Sequence, residues 1–234
     1  MRIFIGYDKT EDAQAQVAIK SLGRFGRTAD LLDVKALRNA GLYTRTHYAH
    51  EQKHDTIDGK PFSTDFSFTR FLVPALCQYQ GWALFVDSDV MFREDPGRIL
   101  SRVLTDPEDY ALYCVKHDYR PQETTKMRAG VTQTAYAKKN WSSVMLFNCS
   151  HRANWFLTPH AVNTAVGRDL QQMFWLRDDE IGELDPKWNW LEGHNDPKEN
   201  PAIVHYTRGT PEAVVGLRDA PFAEEWWEIY NSLD

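Results

Sequence analysis

The feature of this 234-residue chain that most limits its fold is the run Trp82-Ala83-Leu84-Phe85-Val86, apolar throughout and of strand length, which passes directly into Asp87-Ser88-Asp89. A strand with no polar face has to be covered on both sides, as a central strand of an α/β sheet is. Two carboxylates at i and i+2 after such a strand fall on one side of the chain if it stays extended. They then converge at the C-terminal edge of the sheet, where α/β proteins form ligand sites. Side by side they repel. A hard divalent cation removes that cost, and carboxylate oxygens select Mg2+, Mn2+ or Ca2+ over softer metals. The competing reading of an isolated Asp-x-Asp is a pair of solvated turn residues.

The flanking segments supply the rest of such a sheet. Ile3 to Tyr7 reads as a first buried strand ending at Gly6-Tyr7-Asp8. Asp8 with Glu11 resembles a capping box for a helix in which Ala15, Ala18, Ile19 and Leu22 recur at helical spacing before Gly23 and Gly26. Leu31 to Val34 reads as a second strand, and the polar stretch from Arg38 to Pro61 as surface loop. Phe68, Phe71, Leu72, Ala75, Leu76 and Tyr79 predict a helix kinked at Pro74 and ended by Gly81. A short helix is expected around Ile99 to Leu104, strands at Tyr110 to Val115, Ser143 to Asn148 and Ala202 to Tyr206, and a helix from Thr158-Pro159. Trp226, Trp227 and Tyr230 predict an aromatic helical tail packed on the body. Between Lys116 and Asn140, six Lys/Arg against two Asp/Glu with few apolar residues read as a long loop over a site. Strands alternating with helices argue for an α/β sheet with a substantial parallel portion, in a single domain spanning residues 1–234.

Composition narrows the partners. The net charge of −6 gives no whole-molecule attraction to nucleic acid or to an anionic membrane. No window approaches the roughly 18 apolar residues of a membrane-spanning helix, and Ile3-Phe4-Ile5 is too short for a signal sequence. Cys77, Cys114 and Cys149 are odd in number, far apart and set in apolar segments, so they read as buried free thiols in a reducing compartment; a cytoplasmic location is expected.

His205 raises the standing of the aspartate pair. It also ends an apolar strand and precedes the turn Arg208-Gly209-Thr210-Pro211. A lone strand-end histidine is more often a structural hydrogen bonder than a ligand, but with the two aspartates an Asp87-Asp89-His205 site for Mn2+ or Mg2+ becomes the better reading.

At this point the chain resembles the GT-A-fold glycosyltransferases, specifically those similar to family 8. Phe68-Thr69-Arg70-Phe71-Leu72-Val73-Pro74 followed by Ala83-Leu84-Phe85-Val86-Asp87-Ser88-Asp89 is similar to their helix and Asp-x-Asp strand. Trp141 to Asn148 is similar to the next strand, Asp178-Asp179-Glu180 with Lys187-Trp188-Asn189 to the DQD and WN segments, and Ile203-Val204-His205-Tyr206 to the C-terminal metal motif. The likeness covers most of the chain in the expected order. It implies a GT-A fold: one Rossmann-like, mixed but mostly parallel sheet flanked by helices.

The resemblance also implies a retaining, hexosyltransferase-type enzyme that takes a sugar from a nucleotide-diphosphate donor, commonly a UDP-sugar, and passes it to a glycan or other acceptor. The metal would sit on Asp87, Asp89 and His205, and the donor would be held by Tyr7, Asp8, Arg70, Asp87, Ser88, Arg208, Gly209 and Thr210. Tyr7 and Asp8 would lie at the nucleoside, Arg70 would reach the phosphates or brace the aspartates, and Asp179 or Asp178 would stabilise the cationic sugar carbon. The chain departs from the family at three places: Asp179 replaces the family's Gln, the Lys-Pro-Trp after the metal His is missing, and Trp141 stands where Asn is usual. The acceptor is open. The basic stretch would suit an anionic one such as a lipopolysaccharide core, a teichoic polymer or a modified nucleic acid, and its plain alternative is a solvated loop. Two other functions fit an Asp-x-Asp strand: a haloacid-dehalogenase-like phosphatase, against which Met91 at the motif's Thr/Val position speaks, and a degenerate nucleotide-sugar-binding module. A nucleotidyltransferase lacks its Gly-rich phosphate loop here.

Overall fold

The computed structural model describes residues 1–49, 52–105, 108–118 and 138–233. The first strand, β1 (Arg2–Tyr7), leads through a 3-10 turn capped by Asp8 into α1 (Asp12–Gly23), then β2 (Asp30–Asp33) and α2 (Val34–Asn39). Three short strands follow, β3 (His47–Ala49), β4 (Lys53–Asp55) and β5 (Pro61–Phe62), paired antiparallel in a small sheet of their own. This corrects the expectation of a surface loop with marginal structure between Arg38 and Pro61. The segment has too few apolar residues to show a periodicity, and its order comes from a buried ion pair. Arg45 and Asp55 share two contacts, one of them Nε to Oδ1 at 3.1 Å, while Arg45 Nη1 donates to the carbonyls of Val162 and Ala165.

The expected helix from Phe68 to Tyr79 is broken in two. A 3-10 turn over Thr69–Leu72 hands over to the single turn α3 (Val73–Leu76), and Gln78 and Tyr79 take positive φ. Pro74 is the cause. It has no N–H to offer the Arg70 carbonyl, so the α-helical ladder cannot run through this point, and the Val73 N–H closes on that carbonyl instead.

β6 (Trp82–Val86) is buried as its composition required, and after a turn at Ser88 and Asp89 the chain resumes as β7 (Val90–Phe92). Then come α4 (Gly97–Val103), β8 (Leu112–Cys114), β9 (Val144–Asn148), α5 (Pro159–Thr164), α6 (Gly167–Gln171), β10 (Ile181–Glu183), β11 (Trp190–Leu191), β12 (Ile203–His205) and α7 (Ala223–Tyr230). Thr158 caps α5 with Pro159 in its first turn, as the sequence predicts. Most of the basic stretch, residues 119–137, lies outside the described residues.

Among the described residues the main sheet has the order β10-β8-β9-β6-β1-β2, parallel except where β9 runs against β6 and β8. Its strands are buried on both faces. One core contains Phe4, Phe71, Phe85 and Phe147, the other Ile5, Leu84, Val86 and Leu146, so alternate residues of each strand serve opposite layers. Gly6 is required at the end of β1, because a β-carbon there would sit 2.4 Å from the Phe66 ring. A second sheet, β11-β12-β7, carries a third core of Trp190, Val204, Tyr206, Trp226 and Ile229. Trp188, Trp190 and Trp226 are therefore core residues rather than exposed sugar-stacking surfaces. Cys114 and Cys149 are buried free thiols as expected, whereas Cys77 is half-buried. Among the described residues no helix is long and apolar enough to cross a membrane.

Asp55→Ala leaves the Arg45 guanidinium buried without its carboxylate, and breaking such a pair from one side costs about 3–5 kcal/mol. We expect the midpoint of urea unfolding to fall accordingly, with the slope unchanged.

Candidate active site

The end of β6 and the end of β12 belong to different sheets, and β7 joins them. β7 pairs antiparallel with β12, placing His205 opposite Val90, and the Tyr206 N–H donates to the Asp89 carbonyl at 3.0 Å. That register carries the imidazole to the aspartates. Ligand atoms of Asp87, Asp89 and His205 all lie within 4.8 Å of one another. The aspartates converge because the chain turns between them, not because it stays extended as the sequence reading assumed. The Ser88 hydroxyl faces away and donates to Glu11 Oε2 at 2.6 Å, so Glu11 serves this turn rather than a capping box with Asp8.

The proton inventory of the triad points to a cation. His205 Nδ1 lies 2.9 Å from Asn189 Oδ1, and an amide oxygen can only accept, so Nδ1 carries the hydrogen. The remaining nitrogen, Nε2, faces Asp89 Oδ1 at 3.2 Å. The contact takes a positive charge between the two atoms, a proton or a metal ion, and nitrogen and carboxylate oxygen together make a borderline-hard set suited to Mn2+ or Mg2+. Asn189 is fully buried, with Nδ2 donating to Ser143 Oγ at 3.0 Å and to the Asn140 carbonyl at 3.2 Å, so the amide cannot turn over. An outer residue that fixes the tautomer and angle of a metal histidine is a recurrent device. The sequence reading quoted Asn189 only as part of a motif; its role appears once the chain is folded.

Arg70 is not a solvated surface arginine. It is buried between the Phe66 and Phe85 rings, with Nη1 3.0 Å from Asp87 Oδ1 and 2.8 Å from the Ser142 carbonyl. Its guanidinium pairs with the Asp87 carboxylate.

Asp8 ends β1 beside this edge. Burial pushes its carboxyl up, but hydrogen bonds from Lys53 Nζ, the Thr10 hydroxyl and amide, and the Asp65 amide outweigh that and hold it down at about 2. Lys53 bridges Asp8 and Asp65 at 2.7 Å each. Both partners escaped the sequence reading, since Lys53 lies in the stretch taken as loop and nothing in its spacing marks it. The Tyr7 hydroxyl donates to Asp12 at 2.9 Å.

On the other side, Arg208, Gly209 and Thr210 form the turn directly after Tyr206, closed by the Gly209 N–H on the Tyr206 carbonyl. Arg208 forks onto the buried carboxylate of Glu192, with Nε to Oε2 at 2.9 Å. Gly193, at φ 76°, leaves room for that fork, because a β-carbon there would lie 2.4 Å from Arg208 Nε. The Thr210 hydroxyl is buried without a partner. Asp178 and Asp179 occupy a 3-10 turn before β10 and stand apart from the triad's carboxylates in their pairing: Asp178 with Lys138 at 2.8 Å, Asp179 with Arg177 at 3.0 Å, the two side chains 90% and 75% exposed. The sequence reading also passed over His117. Burial pushes its imidazole down to about 4, helped by nearby His205 and opposed by a hydrogen bond to the Asn189 backbone, so it is neutral at neutral pH.

A mixed sheet with an Asp-x-Asp strand at its centre, completed by a histidine from a late strand, is the GT-A fold, and comparison with solved structures agrees. The chain superposes on the bifunctional glycosyltransferase WbbM in its apo form with a TM-score of 0.63 at 15% identity, covering 99% of this chain and 50% of that one. It also superposes on the galactosyltransferase LgtC in complex with donor and acceptor sugar analogs, with a TM-score of 0.55 at 17% identity over 100% of this chain and 96% of LgtC. The glycosyltransferase GlyE of Streptococcus pneumoniae TIGR4 matches with a TM-score of 0.55 at 17% identity, covering 100% of this chain and 61% of GlyE. The chain thus spans half the length of WbbM. No family model matches the sequence. The chain belongs to the family of Protein CDI of Arabidopsis thaliana, with which it is 44% identical over 240 residues, covering 98% of this chain and 87% of that protein.

Two measurements test the electrostatics of the site. Asp8 has its carboxyl pKa depressed by folding, so the stability it contributes is present above the unfolded value near 4 and is lost as pH falls through about 2. Asp8→Asn should therefore flatten the acid limb of stability between pH 5 and 2 relative to the parent, by on the order of 2 kcal/mol in chemical unfolding. Asn189→Ala should weaken Mn2+ binding roughly ten- to a hundredfold by calorimetry.

Proposed function

We propose that this protein is a metal-dependent glycosyltransferase that moves a sugar from a nucleotide-diphosphate donor, a UDP-sugar by preference, to an acceptor. The observation that carries the reading is the meeting of Asp87, Asp89 and His205, with a histidine nitrogen and a carboxylate oxygen set against each other in a fold shared with glycosyltransferases. Asp87, Asp89 and His205 would hold Mn2+ or Mg2+, which supplies stabilisation for the negative charge that develops on a departing diphosphate.

The chain's own groups do the rest. Arg70 holds Asp87 in one orientation, and Asn189 keeps the lone pair of His205 Nε2 facing Asp89. Tyr7 and Asp8, at the end of β1, take the nucleoside end of the donor. Ser88 sets the turn between the two aspartates through Glu11. The turn of Arg208, Gly209 and Thr210 would offer backbone and hydroxyl groups to the phosphates. Asp179 and Asp178 remain the carboxylates proposed for the sugar's face. Each has to leave its present partner, Arg177 or Lys138, to act there. Retention of configuration and a hexose as the transferred sugar complete the proposal; LgtC, which shares the fold, is a galactosyltransferase.

A thermal-shift screen of UDP-, GDP-, CMP- and dTDP-sugars with and without Mn2+ tests this directly. Stabilisation by one nucleotide class only when metal is present is the expected result; about 2.7 kcal/mol accompanies a ligand at a hundred times its Kd. Asp89→Asn should abolish both the metal-dependent shift and transfer while the fold is kept, and retained turnover in that variant would overturn the site. Hydrolysis of a chromogenic phosphate ester would favour the phosphatase instead, and binding of the donor without turnover the degenerate module.

A further inference from the structure

At the edge of the main sheet away from the aspartates, where Trp82 pairs with Asn148, two thiols meet. Cys77 follows the single turn α3 and Cys149 follows β9, yet both belong to one core layer, with Cys149 fully buried and Cys77 packed against that layer. Two hydrogen bonds stitch their segments together. The Cys149 N–H donates to the Gly81 carbonyl at 2.8 Å, and the Gly81 N–H donates to Ser150 Oγ at 2.9 Å. The Cys149 thiol itself donates a hydrogen bond to the Cys77 sulfur.

The two sulfurs differ in access and in acidity. Cys77 lines an open cavity of about 290 Å3 with Arg2, Gln78, Gly81 and Trp82, whereas Cys149 has no exposed surface. The hydrogen bond from Cys149 holds the Cys77 thiol below the usual range, and the Arg2 guanidinium adds to that against the opposing effect of burial. Arg2 is kept in place by the Leu76 carbonyl at 2.8 Å and by Asp30 at 2.7 Å. Cys149 is pushed up, chiefly by the same hydrogen bond. Since the thiolate is the nucleophilic form, Cys77 is the member that meets a reagent entering the cavity. Cys114 offers a contrast within the chain: it is buried in β8, and that burial pushes its thiol up.

The geometry points to Cys77 and Cys149 as an oxidisable pair: hydrogen peroxide converts Cys77 to a sulfenic acid in the cavity, and Cys149 resolves it into an intramolecular disulfide. In the first step the Cys77 thiolate attacks one peroxide oxygen, the O–O bond breaks, and the departing hydroxide takes up a proton and leaves as water. In the second, the Cys149 sulfur attacks the Cys77 sulfur, the S–O bond breaks, and hydroxide leaves as water with the proton of the Cys149 thiol. Each sulfur gives up one electron, and the peroxide takes both. Once Cys77 is a neutral sulfenic acid, the negative sulfur that held the proton on Cys149 is gone, so the first step prepares the second. The movement that brings the sulfurs to bonding distance falls on the irregular segment after α3, where Gln78 and Tyr79 take positive φ, and spares the sheet. A dithiol reductant reverses the change by exchange. The pair lies away from Asp87 and Asp89, and its chemistry is independent of the proposed glycosyl transfer.

The test is to add hydrogen peroxide in slight excess to the native protein and to the chain unfolded in urea, then read the intact mass and the peptide map. The native protein should lose two hydrogens and gain no oxygen, with Cys77 linked to Cys149 and Cys114 still open to alkylation after unfolding. Cys77 should be consumed at least about a hundredfold faster than Cys114, as its greater thiolate fraction and access require. Dithiothreitol should restore the starting mass. The unfolded chain, in which proximity is lost, should link all three cysteines without preference. Cys149→Ala removes the resolving thiol, so Cys77 should stop at the sulfenic acid and take up one dimedone. Cys77→Ser should leave Cys149 unmodified, which keeps the order of events testable if the buried substitution unfolds the protein. A native protein that keeps every thiol free, that gains oxygen on Cys77 while Cys149 stays free, or that links Cys114 as readily as Cys149 would overturn the pair.

Discussion

The structure of the site hangs on the pairing of β7 with β12. His205 is more than a hundred residues from the aspartates in sequence, and what delivers it is a short antiparallel register fixed by the Tyr206 amide on the Asp89 carbonyl. Because side chains alternate along a strand, a slip of one residue would turn His205 away and present Val204 or Tyr206 in its place. Both of those are fully buried against Trp190 and Trp226, and that burial makes the slip costly. Apolar packing on the outer face of this small sheet therefore sets the position of a polar group on its inner edge.

Around that register the protein places charge in pairs. Arg70 stands against Asp87, Lys53 against Asp8 and Asp65, and Arg208 against Glu192. A lone buried charge would be expensive, and pairing removes most of the penalty without adding much stability. What the pairs contribute is direction. Each carboxylate is held in one rotamer before any ligand arrives, so binding spends little on ordering side chains, which is the sense in which such a site is preorganised.

Much of this was legible in the sequence because it rests on local patterns. The continuous apolar runs at Ile3–Ile5 and Trp82–Val86 gave away strands buried on both faces, and the acidic pair after Val86 with His205 gave the triad. The likeness to GT-A enzymes, spread along the chain in order, gave the fold. What stayed hidden depends on contacts distant in sequence. Lys53 finds Asp8 only because a small sheet forms from a polar segment around the Arg45–Asp55 pair, and no periodicity marks that segment. Asn189 and His117 carry no pattern of their own; their roles come from neighbours at positions 140, 143 and 205. The helix through Pro74 was misjudged for a different reason, since apolar spacing fits a 3-10 turn followed by one α turn nearly as well as it fits a continuous helix, and the missing N–H decides between them.

The third core has a bearing on how the molecule is made. α7 closes over β12 from behind, with Trp226 and Ile229 sealing Val204 and Tyr206. The strand that brings the imidazole is thus supported by a helix synthesised after it. Asp87 meets Arg70, which precedes it in the chain, whereas Asp89 gains its imidazole neighbour only once β12 is held in place by the docked aromatic helix. The triad is therefore completed only after the strands that carry its aspartates have been made.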